Sequence, residues 1–279
     1  MAVAILSQKG GVGKSSLAKW MGYLWSEDTK PPVLIDLDPQ ATLTHIMGFT
    51  VPELLEKCAA HVLSGEYSRP EECVLVTNTC RKPVLLVPAL SVDANLTGPA
   101  NVQEYEGVVA MIENLHSFVG HFESRGYPVI IDTPAYASRT DTLPTVAAAA
   151  SSVVIIPVDA RMQPEQTVEL TYANIVSAHR HLKDVSVPEK RAGIVLNMYS
   201  NRLRVCKEAY NTLRSRLKDL LDENPPFPAE FLGRISENRE FINMVTYNCP
   251  PTGKSGKNIT DAVAKVVEFA RRYTWGEQE

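Results

Sequence analysis

Short apolar runs alternate with longer segments of helical period along most of this chain. The apolar runs are rich in Val, Ile and Leu, as strands are, and lie at 3–7, 32–38, 73–79, 83–90, 127–134, 151–158, 191–199 and 229–236. Apolar residues recur every three or four positions in the segments between them, as on one face of a helix. This spacing predicts helices at 14–25, 51–65, 101–122, 166–182, 205–223 and 261–273.

The order of these elements predicts the fold class. Strands that alternate with helices of about ten residues or more build βαβ crossovers, which align the strands in parallel. Strands that are apolar at nearly every position are buried on both faces. We therefore expect an α/β fold with a mostly parallel twisted sheet, of roughly seven or eight strands, and helices on both faces. The proline-rich stretch at 222–230 is too short to separate domains, so residues 1–279 are expected to form a single domain.

Composition excludes several classes of protein. The apolar fraction is 44%, and no run of about eighteen apolar residues is present that could cross a membrane. The strand pattern begins at residue 3, so we expect no signal peptide, no preceding helix-turn-helix domain and a cytoplasmic location. The five cysteines form no C-x-x-C pair, which argues against a disulfide framework, a zinc site or an iron–sulfur cluster. The net charge of −4 excludes a uniformly basic nucleic-acid binder but not a local basic patch.

The segment "SQKGGVGKSS" at 7–16 lies between a predicted strand and a predicted helix, as phosphate-binding loops do. Its glycines leave backbone N–H groups free to approach an oxyanion, and the helix that begins near Lys14 adds its positive dipole end. Lys14 is placed to reach the β- and γ-phosphates, and Ser15 to bind Mg²⁺. A glycine turn with an incidental lysine is the alternative interpretation. The predicted ATP-binding residues of this loop are Gly10, Gly11, Val12, Gly13, Lys14, Ser15 and Ser16.

Acidic residues end two of the predicted strands. Asp36 and Asp38 close the run "LIDLDPQ", and Asp132 closes the run "VIIDTPA". Open α/β sheets bind ligands at the carboxyl ends of their strands, where a carboxylate beside a nucleotide holds the metal or orients water. Each aspartate taken alone could instead cap a helix or a turn. Together with the glycine loop, the three favour a Mg²⁺-dependent nucleotide site.

The loop lacks the first glycine of the usual G-x-x-x-x-G-K-[ST] pattern, because Gln8 stands there and Lys9 follows it. "QKGGVGKSS", "IDLDPQATLT" and "VIIDTPA" together resemble the deviant Walker A ATPases of the ParA/MinD group, whose loop is KGG-x-x-K-[ST]. The segments "VLLVPALSVDANL", "GIVLNMYSNR" and "FLGRISENREFINMVTYNCPP" extend the resemblance over most of the chain, and "DPQ" and "NMYSNR" favour the ParA (Soj) branch. The resemblance implies a single-domain P-loop NTPase fold.

The resemblance also implies a catalytic set of Lys9, Lys14 and Asp38. Lys9 would reach across a dimer interface to the partner's nucleotide, and Lys14 would bind phosphates in its own chain. Asp38 would orient the attacking water. The sequence departs from the family beside it, because Ala41 stands where glycine is typical, which bears on the local geometry of this switch segment.

Other matching positions imply the ligand contacts. Asp36 and Asp132 would support, through water, the Mg²⁺ that Ser15 binds. Asn197 would contact adenine, and the loop at Pro250 would close over the base. The segment "NREFINMVTYNCPPTGKS" differs from the family pattern at this point, so its contacts are the least defined.

A cluster of basic residues lies in and just before the predicted helix at 205–223. It comprises Arg202, Arg204, Lys207, Arg214, Arg216 and Lys218, with Glu208 as its one acidic residue, and all of these basic residues except Arg216 are the predicted DNA contacts. Helical geometry places Lys207, Arg214 and Lys218 along one flank, beside an apolar stripe of Cys206, Tyr210, Leu213, Leu217 and Leu220. A solvated helix surface is the alternative interpretation of such charges. ParA relatives bind DNA nonspecifically through basic residues of this region, so the resemblance implies DNA as a partner.

The resemblance implies an ATP hydrolase that dimerises on ATP and serves the partition or positioning of a plasmid, chromosome or other cargo. A ParB-like partner would stimulate its weak activity, and the ATP-bound form would associate with the nucleoid. One alternative is a MinD-like spatial regulator that uses membrane or protein partners without DNA, although the glutamates of the terminal "TWGEQE" oppose anionic lipid. The other is an amide-forming or carboxylating synthetase on the same scaffold, for which the sequence shows no motif.

Overall fold

The computed structural model describes residues 2–26, 30–50, 57–89, 105–137, 141–182, 188–221 and 227–274. In this part of the chain, a single sheet has the strand order β3-β4-β2-β5-β1-β6-β7-β8. Its strands are β1 Ala2–Ile5, β2 Val33–Asp36, β3 Leu75–Thr79, β4 Lys82–Val87, β5 Val129–Asp132, β6 Ser151–Asp159, β7 Arg191–Tyr199 and β8 Ala229–Ser236. Neighbouring strands are parallel except β3 and β4, which are antiparallel. The predicted α/β fold with a mostly parallel sheet is confirmed.

Helices cover both faces of the sheet, as predicted. They are α1 Lys14–Trp25, α2 Thr42–Ile46, α3 Ala59–Ser64, α4 Tyr105–Glu123, α5 Thr142–Ala150, α6 Pro164–His181, α7 Arg204–Leu220, α8 Arg239–Tyr247 and α9 Gly253–Thr274. Side chains of α3 to α7 pack into one hydrophobic core, and those of α1, α2, α8 and α9 pack into a second core on the opposite face.

The central strands are apolar throughout because successive side chains enter opposite cores. In β6, Val154 and Ile156 join the core under α3 to α7, while Val153 and Ile155 join the core under α1 and α9. All residues of β1, β2, β5 and β6 are buried. Burial on both faces is the reason that these strands lack the polar alternation of a half-exposed sheet.

The order of the strands brings the candidate site residues together at the carboxyl ends of the central strands. β1 lies between β5 and β6, and the chain leaves it toward β2 on one side and returns to β6 on the other. Ligands of open α/β sheets bind at such a switch point, outside the carboxyl ends of the strands. Ile5, the last residue of β1, pairs with Asp132 in β5, and Asp132 pairs with Asp36 in β2. The loop after β1 therefore begins beside both carboxylates.

Two predicted helices have different starts in the structure. The helix predicted at 51–65 begins at Ala59 within the described residues, because Cys58 is extended and the Ala59 N–H donates to the Pro88 carbonyl at 2.9 Å; residues 51–56 lie outside the described part. The helix predicted from residue 261 begins at Gly253 instead, since Gly256 packs closely on Pro251 and holds this extra length of helix in place.

The antiparallel pairing of β3 with β4 and some of the helices were not predicted, each for a local reason. The strands at 75–79 and 82–87 form an antiparallel hairpin whose two-residue turn puts Cys80 at φ 49° and Arg81 at φ 70°. Neither residue is a typical turn former at positive φ, so no turn motif predicts the hairpin. The alanine-rich helix α5 is buried nearly all round and lacks a polar face. The helix α8 follows β8 after only two residues, in a segment where no helix is predicted from the sequence.

Candidate nucleotide site

The glycine loop connects β1 to α1. Gly11 and Gly13 lie in the left-handed region, at φ 74° and 87°, and Gly13 is the N-cap residue of α1. A side chain at Gly13 would also place its Cβ 2.4 Å from the Asn197 amide nitrogen. The Gln8 N–H donates to the Thr171 hydroxyl at 2.9 Å, which anchors the start of the loop to α6. Thus Gln8, at the position of the missing glycine, fixes the loop through its backbone.

A cleft of about 620 Å³ lies above this loop, within the size range of small-molecule sites. It is lined by Gly10, Gly11, Gly13, Lys14, Ser15, Ser16, Asp38, Pro39, Gln40, Thr42, Pro134, Ala135 and Met198. The structure therefore brings most of the predicted phosphate loop together with Asp38 around one concave surface. Lys9, Val12, Asn197 and Pro250 are not among the lining residues.

Asp132 is fully buried and neither of its carboxylate oxygens has a hydrogen-bond partner among the described residues. Burial raises its pKa well above the ordinary value, and Asp36 raises it further, while the Ser15 hydroxyl and Lys14 lower it. The Ser15 hydroxyl is near enough to favour the charged form, but its geometry falls short of a hydrogen bond. A buried carboxylate without a partner is costly unless a cation or water satisfies it. The Ser15 and Asp132 oxygens are the hard ligands that suit Mg²⁺ and its bound water.

Lys14, the first residue of α1, lies near the carboxylates of Asp132 and Asp38. Its side chain is buried, and burial lowers its pKa, while the charges of Asp132 and Asp38 raise it. An ammonium group in this position is held by opposing charges rather than by solvent, and phosphate oxygens in the cleft would add to the same attraction. Lys14 therefore has the position that the sequence predicts for a phosphate-binding lysine.

Asp36 accepts hydrogen bonds from its own switch segment. Its Oδ2 accepts from the Thr44 N–H at 2.8 Å and from the Thr44 hydroxyl at 2.7 Å, and its Oδ1 accepts from the Asp38 N–H at 3.1 Å. Burial raises the pKa of Asp36 to about 6, against the effect of these donors. The Thr44 hydroxyl also accepts from the Ala89 N–H at 2.9 Å. Sequence reasoning missed Thr44, although it lies in the quoted segment "DPQATLT".

Asp38 and Ala41 shape the turn that faces the cleft. Asp38 Oδ1 accepts from the Gln40 N–H at 2.9 Å, and its carbonyl accepts from the Ala41 N–H at 2.7 Å. Ala41 lies at φ 54° and ψ 30°, in the left-handed region that favours glycine. Alanine, which stands here where glycine is typical of the family, adopts this conformation at a cost in strain.

Lys9 contacts its own chain. Its Nζ donates to the Met162 carbonyl at 2.9 Å, in the loop between β6 and α6. It lines a second cavity of about 580 Å³ together with Arg161 and Glu208, outside the glycine-loop cleft. Arg161 is fixed there by two bonds of 2.9 Å to the Asp159 carboxylate. The cross-interface role of Lys9 stays a prediction, since it concerns a second chain.

Asn197 braces the glycine loop from the end of β7. Its side chain is 3% exposed; Nδ2 donates to the Val12 carbonyl at 2.8 Å, and Oδ1 accepts from the Met198 N–H at 2.9 Å. Both ends of the amide are thus engaged within the protein. Pro250 is exposed and follows α8. The adenine contacts predicted for Asn197 and Pro250 stay predictions.

The basic helix is α7, and its predicted apolar stripe is confirmed, with Cys206, Leu213 and Leu217 buried. On its flank Lys207, Arg214 and Lys218 are exposed, and none forms an ion pair with the described residues. Arg204 is 90% exposed by its side chain and pairs with Glu208 at 2.6 Å. Arg202 is exposed just before the helix. Lys207, Arg214 and Lys218 thus form a basic ridge without ion pairs in the described part of a chain whose net charge is negative.

The described residues contain no helix long and apolar enough to cross a membrane. They also contain no cluster of three or more His, Cys, Asp or Glu side chains that could hold a metal ion by themselves. Any divalent cation at the glycine loop would therefore need ligands beyond the carboxylates, such as the Ser15 hydroxyl and the phosphates of a nucleotide.

The loop between β1 and α1, the buried carboxylates and the sheet order define a nucleotide-binding domain of the phosphate-loop class. The chain belongs to the CobQ/CobB/MinD/ParA nucleotide-binding domain family, whose model matches residues 3–250. The resemblance to ParA/MinD-type ATPases drawn from the motifs is thereby confirmed.

Individual relatives extend this result. The chain is 28% identical over 215 residues, which are 76% of its length and 75% of the relative's, to the chromosome-partitioning ATPase Soj of Thermus thermophilus. A putative plasmid partition protein from Borrelia burgdorferi bound to AMPPNP has a similar structure, with a TM-score of 0.70, 20% identity and coverage of 96% and 98% of the two chains. A McdA–ATP complex from Cyanothece matches with a TM-score of 0.73, 18% identity and coverage of 100% and 97%. At sequence identities of 20% and 18%, the similarity of these two structures to this chain shows a shared fold.

Proposed function

We propose that this chain is a ParA-like ATPase that binds Mg²⁺ and ATP, dimerises on ATP, binds DNA nonspecifically and drives the partition or positioning of a plasmid, chromosome or other cargo. The observation that carries the nucleotide part is the buried, unpartnered carboxylate of Asp132 beside Ser15 and Lys14. The Soj relative and the plasmid partition protein, each named for partition, support the cellular role. The protein would act in the cytoplasm and associate with the nucleoid in its ATP-bound form.

Each side chain of the site has a part in this proposal. The N–H groups of residues 10–16 and the Lys14 ammonium bind the phosphates, and Ser15 with Asp132 and Asp36 holds Mg²⁺, directly or through water. Bound Mg²⁺ would supply charge stabilisation at the phosphates. Asp38 lines the cleft, where its carboxylate orients the attacking water. Such hydrolysis depends on positioning and electrostatics, so a weak basal rate that a ParB-like partner stimulates is consistent with a site left incomplete in one chain.

Lys9 would complete the site of a second copy. In the single chain its Nζ donates to the Met162 carbonyl, so ATP-dependent dimerisation would exchange this contact for the partner's nucleotide. Lys9→Ala should abolish ATP-dependent dimerisation in light scattering and strongly reduce phosphate release, whereas Lys254→Ala, at an exposed lysine of α9, should change neither. Unchanged dimerisation and turnover in Lys9→Ala would remove Lys9 from the mechanism. Asp38→Ala should retain the ATP dimer and stop turnover.

The DNA part is tested by an electrophoretic shift assay with ATP, with ADP and without nucleotide. We expect a shift with ATP that weakens steeply as salt is raised, because phosphate contacts release counterions, and little shift in the other two conditions. Equal shifts in all three conditions would contradict the ATP-dependent dimer as the DNA-binding form. No shift at low salt would remove DNA from the proposal.

The second candidate is a MinD-like spatial regulator that acts through a membrane or protein partner without DNA. It is supported by the fold of the septum site-determining protein MinD from Pyrococcus horikoshii complexed with Mg-ADP, at a TM-score of 0.63 and 17% identity. Co-sedimentation with anionic liposomes in the presence of ATP distinguishes it from the DNA-binding ATPase. Sedimentation with liposomes together with an absent DNA shift would favour this second function.

A further inference from the structure

Lys19 is a buried lysine inside an otherwise apolar part of α1. It lies one turn after Ser15, between buried Ala18 and Trp20, and is only 1% exposed. Its Nζ donates to the Ile46 carbonyl at 2.7 Å and to the Val245 carbonyl at 3.1 Å. Such a residue needs an explanation, because a lysine is rarely fully buried unless its charge is satisfied.

The two acceptors lie at the carboxyl ends of two different helices. Ile46 is the last residue of α2, and Val245 lies in the last turn of α8. Carbonyls in a last turn have no partner within their own helix and lie at the negative end of its dipole, so they bind a lysine well. Burial lowers the pKa of Lys19, and the nearby Cys80 thiol opposes this effect. The ammonium thus joins α1, α2 and α8 at one atom.

On one side, the joined helix α2 belongs to the nucleotide site. Thr44, near its start, donates to Asp36 through both N–H and hydroxyl groups, and Asp36 also accepts from Asp38. The helix α2 has only the five residues Thr42–Ile46 and is about 8 Å long. The carbonyl of its last residue, Ile46, is therefore close to the turn at Asp38. Lys19 therefore contacts a short helix that is hydrogen-bonded directly to the switch segment.

On the other side, α8 leads to the loop that contains Pro250. Phe241 of α8 stacks on Trp20 of α1, with ring centroids 5.8 Å apart. Asn248, which ends the helix, accepts from the Cys80 N–H at 2.8 Å. The Thr252 N–H donates to Glu240 at 3.1 Å, which ties the far end of the loop back to the start of α8. The loop at 248–252 is thereby attached to α8 at both ends.

We infer that Lys19 is a positioning residue that couples the switch segment at Asp38 to α8 and its following loop, through its bonds to the Ile46 and Val245 carbonyls. The inference rests on the proposed nucleotide function and deepens it. A change at the phosphates moves α2, and the shared ammonium carries the movement to α8. The Trp20 indole N–H has no hydrogen-bond partner among the described residues, so the contact of Trp20 with Phe241 holds α8 by packing and adds no hydrogen bond to α2.

Hydrogen exchange followed by mass spectrometry tests this coupling in the full chain, with and without Mg-AMPPNP. In the wild type, we expect nucleotide to slow exchange both at 36–47 and at 239–252. In Lys19→Met, the response at 36–47 should persist, while the response at 239–252 should fall by about fivefold or more, the lower range of site-to-site coupling. Lys19→Gln keeps a donor without the charge and should lose the same response, which provides a second variant should the methionine variant not fold.

Phe241→Leu is the matched control, because it loosens α8 without touching Lys19. A purely structural role for Lys19 predicts faster exchange of α8 in every condition with an unchanged nucleotide response, and that result would overturn the inference. It would equally be overturned if Phe241→Leu abolished the response as fully as Lys19→Met does. If the wild type shows no response at 36–47, the nucleotide function itself is wrong; a response there that never reaches α8 removes only the coupling.

Discussion

Asp36 and Asp132 are register partners on the adjacent strands β2 and β5, yet only one of the two carboxylates is satisfied by the protein. Asp36 accepts from Thr44 and Asp38, whereas Asp132 has no hydrogen-bond partner among the described residues. The resemblance to the family implies that both support Mg²⁺. In the structure Asp36 organises the switch segment, and the proposed role in holding the cation or its water falls to Asp132.

Asp132→Asn should stabilise the nucleotide-free protein and weaken its Mg²⁺-dependent binding of ATP. The substitution removes a buried charge that has no hydrogen-bond partner in the described part of the chain, and burial and Asp36 disfavour this charge more than Lys14 favours it, so we expect the free energy of unfolding at pH 8 to rise by about 1–3 kcal/mol. Urea denaturation measures the first effect, and ATP titrations with Mg²⁺ and with EDTA measure the second. A variant that binds ATP with the same Mg²⁺ dependence as the wild type would show that Asp132 does not serve the metal.

Asn197→Ala distinguishes two roles of one side chain. The loss of its bond to the Val12 carbonyl leaves a buried acceptor unpaired and loosens the glycine loop, at a cost of about 1–3 kcal/mol in stability. If Asn197 acts through the loop, the variant should weaken binding of ATP and GTP by the same factor in calorimetric titrations. The adenine contact predicted from the sequence would instead reduce ATP binding more than GTP binding.

Ala41→Gly should stabilise the protein, because Ala41 is held at φ 54° where glycine has no steric penalty. Relief of this strain is worth about 1 kcal/mol after the greater chain entropy of glycine is counted. The same substitution at Ala264, exposed in the right-handed helix α9, should destabilise by about 1 kcal/mol. Urea midpoints that move in the same direction for both variants would contradict the strained turn.

Reversal of charge at Arg214 and Lys218 should weaken DNA binding at low salt and reduce its salt dependence. The two side chains are exposed and have no ion pair among the described residues, so they are free to contact phosphates. Each lost phosphate contact lowers the slope of log K against log salt by about 0.9. Lys254→Glu with Lys257→Glu, exposed on α9, makes the same change in net charge and should have the smaller effect. If the reversals on α7 and on α9 had equal effects, the basic residues of α7 would be an ordinary solvated helix surface rather than a DNA contact.

Lys190 should make stability depend on pH in the alkaline range. Its Nζ donates to the Ala148 and Ser151 carbonyls at 2.6 and 2.7 Å, and burial lowers its pKa from 10.5 to about 7. Between these values the unfolded chain binds more protons than the folded one, so stability rises with pH. We expect the wild type to gain about 2 kcal/mol relative to Lys190→Met between pH 7 and 9. Denaturation curves with the same pH dependence for both proteins would contradict the lowered pKa, and Lys254→Met, at an exposed site, serves as the control.

The sequence by itself determined the strands, the class of fold and the phosphate loop. Strands such as β6 are apolar at nearly every position because they are buried on both faces, and this pattern can be recognised in the sequence alone. The loop residues from Gly10 to Ser16 are contiguous, so their chemistry also follows from local order. The motifs likewise sufficed to identify the family, since each is a short segment tied to one strand end.

Only the tertiary structure decided which hydrogen bonds form between residues that are far apart in the sequence, and hence which role each residue has. That Asp36 is satisfied by Thr44 while Asp132 is not depends on how the segment after β2 folds back. That Asn197 supports Val12 depends on the end of β7 lying next to the glycine loop, which is 185 residues earlier in the chain. The bonds of Lys19 to α2 and α8 likewise join segments separated by 27 and 226 residues. Hydrogen bonds across such separations carry no periodicity or spacing signal, because they arise from packing of whole elements rather than from the local propensity of the chain.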